Sequence, residues 1–387
     1  MSAIQPVFAP PPREEIADRI ARLRQAMGQH GIDCYLSIQT DNVYYLTNFA
    51  NYAHERPFVL VITKDGPLRF LTPKLEGSHV EMRAVGDIEL VTYFEFPAPE
   101  GRRWSDRLLE IIPHGAKIGI ESTCPMFLAQ VAGRDAVVED LIEDQRMVKS
   151  PFELARIQHA SNLASRAHGE FLAAARPGIN LAFANSDVGR KVMGQLLTED
   201  PTINLFASKV SFGFQPPSIS WDPHNFTDLS VATEEGGPNV SLLNGVMNGY
   251  GTEIERTFFL GHVPEAAKRP FDTMLEARRV ALDAAHPGML MSEVDRLAND
   301  VFRKAGYADY MLHRTGHGIG VTGHEGPFFA EGYDREIEPD MVFTMEPGIY
   351  IPGVGGFRHS DTIRIDASGP VLMTNGAISR EELTFGI

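Results

Sequence analysis

Apolar positions recur at helical spacing near the start of the chain. Ile16, Ile20, Leu23 and Met27 fall three to four residues apart within 13–30, and Gly31 follows, so a helix with one buried face is expected there. Beyond it the period shortens. Asp33–Ile38, Phe58–Thr63, Leu68–Thr72, Ile88–Tyr93 and Lys117–Glu121 are short β-rich runs, and Lys64-Asp65-Gly66-Pro67 reads as a hairpin turn between two of them. Helical stretches near 75–84 and 104–113 alternate with these strands. Residues 1–147 therefore read as one small α/β domain.

At Met147-Val148-Lys149-Ser150-Pro151 the pattern changes. Ser150 suits a helix N-cap with Pro151 in the first turn, and a long helix should run to about Ala175. A second long helix is expected over 265–286. A third should start at Ser292, with Asp295 completing a capping box, and end near Gly306. Strand candidates lie at 239–243, 246–261, 341–351 and 356–366. Residues 148–387 thus read as a second, α+β domain, with no internal repeat and no low-complexity tract.

Composition narrows the class of protein. The chain has 387 residues, 43% hydrophobic and 22% charged, which suits a globular protein of two or three domains at roughly 150 residues each. Lys and Arg total 35 against 51 Asp and Glu, a net charge of −16, which disfavours nucleic acid and anionic membranes as partners. Cys34 and Cys124 are far apart and form no CxxC, against a disulfide scaffold or structural zinc and in keeping with a reducing compartment. Met1–Pro12 lacks the pattern of a signal peptide, and no apolar run reaches the roughly 18 residues of a spanning helix. A cytoplasmic enzyme or binder is expected.

The densest chemistry is His313-Arg314-Thr315-Gly316-His317-Gly318-Ile319-Gly320, followed by His324-Glu325. Imidazoles interleaved with glycines, where backbone can approach a ligand closely, point to a functional site rather than a surface loop. Glu253 and Glu255 fall on one face of a strand that continues into Phe258, Phe259 and Leu260, which favours a lined pocket. Glu346 interrupts the apolar run Met341–Ile351, where a carboxylate is costly unless paired or used. His224 lies in the turn-rich segment Trp221–Asn225, and Arg358-His359-Ser360-Asp361 ends another strand.

The His-x3-His pattern, the Gly-His-Gly-Ile-Gly run, the Met-Glu-Pro strand and Gly356-Phe357-Arg358 together resemble the pita-bread family of aminopeptidases, prolidases and creatinases. The resemblance spans the chain and implies a creatinase-like N-terminal domain over 1–147 and a pita-bread catalytic domain over 148–387. The family's peptidases hold two metal ions with Asp, Asp, His, Glu and Glu. Here His317 and Glu346 match the His and first Glu, and Glu253 matches the second Asp. Leu242, or Asn244 with a short gap, stands at the first Asp, and Ser360 stands at the last Glu. On that basis no metal and no cofactor is expected, with His317, Glu253 and Glu346 as the residues left for a single ion.

Creatinase is a metal-free branch, and His224-Asn225 and Ile254-Glu255-Arg256-Thr257 are similar to its catalytic His and substrate-binding Glu. Thr47-Asn48-Phe49-Ala50-Asn51-Tyr52, Trp221–Asn225 and the Glu253/Glu255 pair look more like a second metal-free branch, the ectoine hydrolases. The resemblance then implies metal-independent opening of a cyclic amidine, with ectoine hydrolysed to N-acetyl-2,4-diaminobutyrate. Glu255 would be nucleophile or general base, Glu346 would hold the ring N–H and His224 would carry the proton. His317, His313 and His324 would orient groups, while Glu253, Trp221 and Phe49 would bind substrate. Arg358 would meet the substrate carboxylate, with an ion pair to Asp361 as the structural alternative. A small zwitterionic substrate, a homodimer reaching the partner pocket near Phe49–His54, and a deacetylase acting downstream complete that expectation. The alternatives are a creatine-type amidinohydrolase, a metal-dependent Xaa-Pro peptidase sensitive to chelators, and a non-enzymatic binding module.

Overall fold

The computed structural model describes residues 9–51, 55–200, 203–225 and 228–387. The chain divides into two compact units, with Ala9–Arg146 in one and Met147–Ile387 in the other. The chain folds in the α+β class expected, with a small α/β unit followed by a larger unit of long helices and a mainly antiparallel sheet.

In the first unit the expected amphipathic helix is Arg13–Gln29, with Ile16, Ile20, Leu23 and Met27 buried. Gly31 takes φ 64 just past its end, a conformation that favours glycine. Six strands form one sheet in the order Ile88–Tyr93, Leu68–Pro73, Val59–Thr63, Cys34–Ser37, Ile118–Ile120 and Val137–Val138. The turn at 64–67 does join an antiparallel pair, Val59–Thr63 with Leu68–Pro73. The helix Thr40–Thr47 was not legible in the sequence, because its buried face includes Asn42, which donates to the Glu121 and Glu143 carboxylates. Phe49 lies in this unit's interior, its ring stacked on Phe58 at 5.8 Å and edge-on to Phe70 at 5.6 Å. Tyr52, Ala53 and His54 lie outside the described residues.

The second unit opens with helix α1, Pro151–Ala173. Its start is the expected N-cap: the Ser150 hydroxyl accepts from Glu153 N, and the Glu153 carboxylate accepts from Ser150 N. Helix α2, Leu181–Glu199, follows, capped by the Asn180 side chain. Strands β1 (Lys209–Gln215), β2 (Gly236–Met247) and β3 (Tyr250–Leu260) come next, then helices α3 (Glu265–Ala284) and α4 (Met291–Ala305). The remaining strands are β4 (Gly316–Gly318), β5 (Glu325–Phe329), β6 (Val342–Met345), β7 (Gly348–Ile351), β8 (Gly355–Arg358), β9 (Ser360–Asp366), β10 (Gly369–Leu372) and β11 (Thr384–Phe385). Seven of them run across one sheet as β5-β4-β6-β9-β3-β2-β1, with β10 on β9 and β11 on β3, while β7 and β8 form a separate hairpin.

Strand β3 is buried over its whole length despite two Glu, one Arg and two Thr. One face carries Thr252, Ile254, Arg256 and Phe258 toward α1, where the Ser161 hydroxyl meets that of Thr252 at 2.9 Å. The opposite face carries Glu253 and Glu255. The runs expected at 341–351 and 356–366 are each broken in two, the first at Glu346-Pro347, where Pro347 has no N–H to give a ladder, and the second at His359. The capping box expected for α4 is absent. Ser292 bonds to the Asp334 carboxylate, and Asp295 is buried and turned toward the site instead.

Candidate active site

Sheet register decides which side chains meet. Antiparallel pairing sets Leu242 opposite Glu255 and Asn244 opposite Glu253 between β2 and β3, and Ser360 opposite Glu255 between β9 and β3. Residues directly opposed point to the same face, so these five line one floor. Met345 pairs with Asp361 on the other face, and alternation carries Glu346 back to the floor just beyond β6.

The glycine-rich run supplies the imidazole. A Cβ on Gly316 would run into the Thr344 carbonyl, and one on Gly318 into the Gly326 carbonyl, so β4 can sit between β5 and β6 only with glycine at both positions. His317 N donates to the Thr344 hydroxyl at 3.0 Å, and that hydroxyl lies 3.1 Å from Glu346 Oε1. His317 Nδ1 faces the Gly318 carbonyl at 3.0 Å, which assigns the proton to Nδ1 and leaves Nε2 as a lone-pair donor, 3.3 Å from Glu346 Oε1. Ser360 Oγ donates to Glu253 Oε1 at 2.8 Å. One ligand atom each from Glu253, His317 and Glu346 lie within 4.8 Å of one another, all three residues buried.

Beside this group stands Arg358. Its Nη2 donates to Glu255 Oε1 at 2.7 Å, and its Nε lies against Glu255 Oε2. Nη1 donates to the Tyr350 hydroxyl at 2.9 Å, and that hydroxyl lies 2.6 Å from His313 Nε2. Since His313 Nδ1 faces the Arg314 carbonyl at 2.8 Å and carries the ring proton, Tyr350 donates to Nε2. A one-way chain of donors thus runs from Arg358 through Tyr350 to His313. Asp361 is not the partner of Arg358. It lies on the opposite face, paired with Arg256 at 2.9 Å and with Arg278.

Burial controls the protonation of the pocket. Burial, then the neighbouring Glu346, pushes the Glu253 carboxyl up to about 8. Burial also raises Glu255 and Glu346, each against the pull of Arg358. The direct fork to Arg358 favours leaving negative charge on Glu255. Burial pushes His317 down to about 3 and His313 down to about 4, so both are neutral imidazoles at neutral pH. The His324 ring stacks on His317 at 3.9 Å and takes a hydrogen bond from Arg314. Its loop is anchored below: Lys149 Nζ reaches Glu325 Oε1 at 3.2 Å, and Thr322 donates to Glu325 Oε2 at 3.1 Å.

Glu253, Glu255, Glu346, His313, His317, His324 and Arg358 are therefore brought together. His224 is exposed in a turn held by Gln215, whose side-chain amide donates to the carbonyls of Asp222 and Asn225, and it lies near enough to act electrostatically on His313 and His324. Trp221 is 40% exposed, its indole N–H on the Ser218 carbonyl, so it offers an exposed edge rather than a buried wall. Phe49 is committed to the first unit's core. The sequence reading missed Tyr350, Thr344 and Asp295. Tyr350 alone had a signal, an aromatic at even spacing from Glu346 in an apolar run, since Asp295 acts through backbone N–H groups and Thr344 through the His317 N–H and the Glu346 carboxylate, which pairing across the sheet brings within reach.

The chain matches metallopeptidase family M24 over residues 155–367 and the creatinase/prolidase N-terminal domain over residues 19–148. It is 27% identical over 366 residues to an Xaa-Pro dipeptidase of Pyrococcus furiosus, covering 92% of this chain and 97% of that protein. An Xaa-Pro dipeptidase of Pyrococcus horikoshii is 26% identical over 363 residues, with 92% and 97% covered. The solved structure of an Xaa-Pro dipeptidase from Bacillus anthracis superposes with a TM-score of 0.79 at 26% identity, covering 96% of this chain and 99% of that one.

These findings overturn the expectation of metal-independent ectoine ring opening. The Xaa-Pro dipeptidases are matched nearly end to end, and the residues that suggested otherwise were short local runs, one of which places Phe49 in the first unit's core. The metal that the family implies fits the donor set in part. Glu253, His317 and Glu346 offer two carboxylates and one imidazole with a free Nε2, a fit for one divalent cation. A bridged pair does not fit, because Leu242 and Ser360 flank Glu255 on the floor and Glu255 is held by Arg358.

Proposed function

The chain belongs to metallopeptidase family M24, and we propose that it hydrolyses the amide bond of short dipeptides of the Xaa-Pro type. The observation that carries this reading is the buried Glu253, His317 and Glu346 group, set in a chain similar from end to end to Xaa-Pro dipeptidases. Those three residues would hold one divalent cation, which when bound polarises a carbonyl and acidifies a water.

The protein's own groups account for the remaining steps. Amide hydrolysis forms a C–O bond, breaks the C–N bond and moves one proton from water to the leaving nitrogen. A carboxylate beside the attacking water can take that proton and pass it to the leaving nitrogen. Glu346 is the group placed for it, with Thr344 and His317 fixing its orientation on one side. The Arg358–Tyr350–His313 chain orients the opposite wall, and burial holds the His324 ring, stacked on His317, toward its uncharged form, so it adds no charge beside a bound peptide. The test is incubation of the purified protein with Ala-Pro, Met-Pro and Ala-Ala in the presence of Mn²⁺, with free proline followed by mass spectrometry. Release of proline from the first two supports the reading, and intact dipeptides throughout would sink it.

A further inference from the structure

We propose that this pocket binds one divalent cation, at Glu253, His317 and Glu346, and that the Arg358 guanidinium, locked onto Glu255, stands in place of a second. The inference rests on the metallopeptidase reading above and specifies its centre.

Two observations support it. The first is the donor set. Among the described residues, Glu253, His317 and Glu346 form the group whose ligand atoms are mutually close, and Glu255 is not part of it. A two-ion centre needs carboxylates that reach both ions, held roughly 3.5–4 Å apart. On this floor the residues flanking Glu255 across β2 and β9 are Leu242 and Ser360. Leucine offers no donor, and the Ser360 hydroxyl is already turned onto Glu253.

The second is the lock itself. Both oxygens of Glu255 face the fork of Arg358, whose third nitrogen is held by Tyr350. Arginine does not deprotonate in proteins, so this charge cannot be titrated away to admit a metal ion. A second ion seated against Glu255 would meet a guanidinium that is 4% exposed, where water does little to screen repulsion.

Native mass spectrometry of the full-length protein, stripped with chelator and titrated with Mn²⁺, reads the stoichiometry without reference to activity. One Mn²⁺ per chain is expected, lost in His317→Gln, with folding of that variant checked by circular dichroism. Thr344→Val, which removes only the hydroxyl behind His317 and Glu346, should still bind one ion, roughly 10- to 100-fold more weakly. Two ions per chain, no specifically bound ion, or one ion retained unchanged in His317→Gln would each overturn the proposal. A single ion in a protein that cleaves no Xaa-Pro dipeptide would leave this inference standing and remove the proposed substrate alone.

Discussion

Tyr350 receives one hydrogen bond and gives another, between a guanidinium and an imidazole that both face the pocket. Tyr350→Phe keeps the ring and deletes both bonds. A hydrogen bond lost in such a setting is worth about 1 kcal/mol, so kcat on Ala-Pro should fall roughly tenfold, and the thermal midpoint should fall by a few degrees because two buried polar atoms lose their partner. An unchanged kcat would show that the chain of donors does not act on the reaction. Arg358→Met is more severe, because it strands the Glu255 carboxylate in the interior. At high pH the loss should approach about 3–5 kcal/mol by chemical denaturation, and it should shrink at pH 6, where Glu255 can take up a proton instead. Equal losses at both pH values would contradict the pairing. Residue-level reading of the sequence found Glu253, His317 and Glu346 because a polar group in an apolar or glycine-rich run stands out. It assigned Arg358 the wrong alternative partner, because the choice between Glu255 and Asp361 depends on which face of β9 each strand neighbour presents, and that is fixed by register across the sheet.

At the scale of elements, the segment that carries His313 and His317 is held from behind by α4. The Asp295 carboxylate accepts from Thr315 N and from Glu331 N, each at 2.8 Å, and so ties the stretch before β4 to the stretch after β5. Asp295→Ala leaves two backbone N–H groups without an acceptor, at a cost of about 1–3 kcal/mol each. It should lower stability by a few kcal/mol and weaken Mn²⁺ binding together, although Asp295 contributes no ligand atom. A variant that lost stability but bound Mn²⁺ as before would separate the clamp from the site. Helices α1, α3 and α4 were legible from periodicity and caps, and so was the first helix of the chain. The helix α2 was not, since its buried residues are spread thinly among small and polar ones. The Asp295 position also looked like a local cap in the sequence, and only the fold shows that its partners lie 20 and 36 residues away.

For the whole molecule, the pocket couples stability to pH in two windows of opposite sign. A carboxyl raised in the folded state binds its proton more tightly there than in the unfolded chain. Glu253, raised to about 8, therefore adds stability that is present below its ordinary range near 4.5 and is lost as pH rises toward 8. The buried His317 and His313, lowered to about 3 and about 4, act the other way and favour folding increasingly as pH rises toward 6.5. Between about 6.5 and 8 the carboxyls act without that opposition. The metal-free protein should lose stability across this interval with a slope of about 1 kcal/mol per pH unit for each group involved. Glu253→Gln should flatten the slope, and a wild-type midpoint that rises across the interval would contradict the assignment. A bound cation should reverse the trend by holding the carboxylates ionised, adding about 2–3 kcal/mol at a concentration 100 times its dissociation constant. The overall likeness that gives the fold was legible in the sequence from its motifs. The activity was not, because the floor residues Leu242 and Ser360 pointed away from metal, and the meeting of the three remaining donors depends on the order β4-β6-β9-β3 across the sheet.

If amide hydrolysis takes place at Glu253, His317 and Glu346, kcat/KM for Ala-Pro must follow Mn²⁺ during titration of the chelated protein. The rate should be negligible at the start, rise with occupancy of a single ion and then level off. Hydrolysis that is equally fast in the chelated protein, or no hydrolysis at any Mn²⁺ concentration, would contradict it.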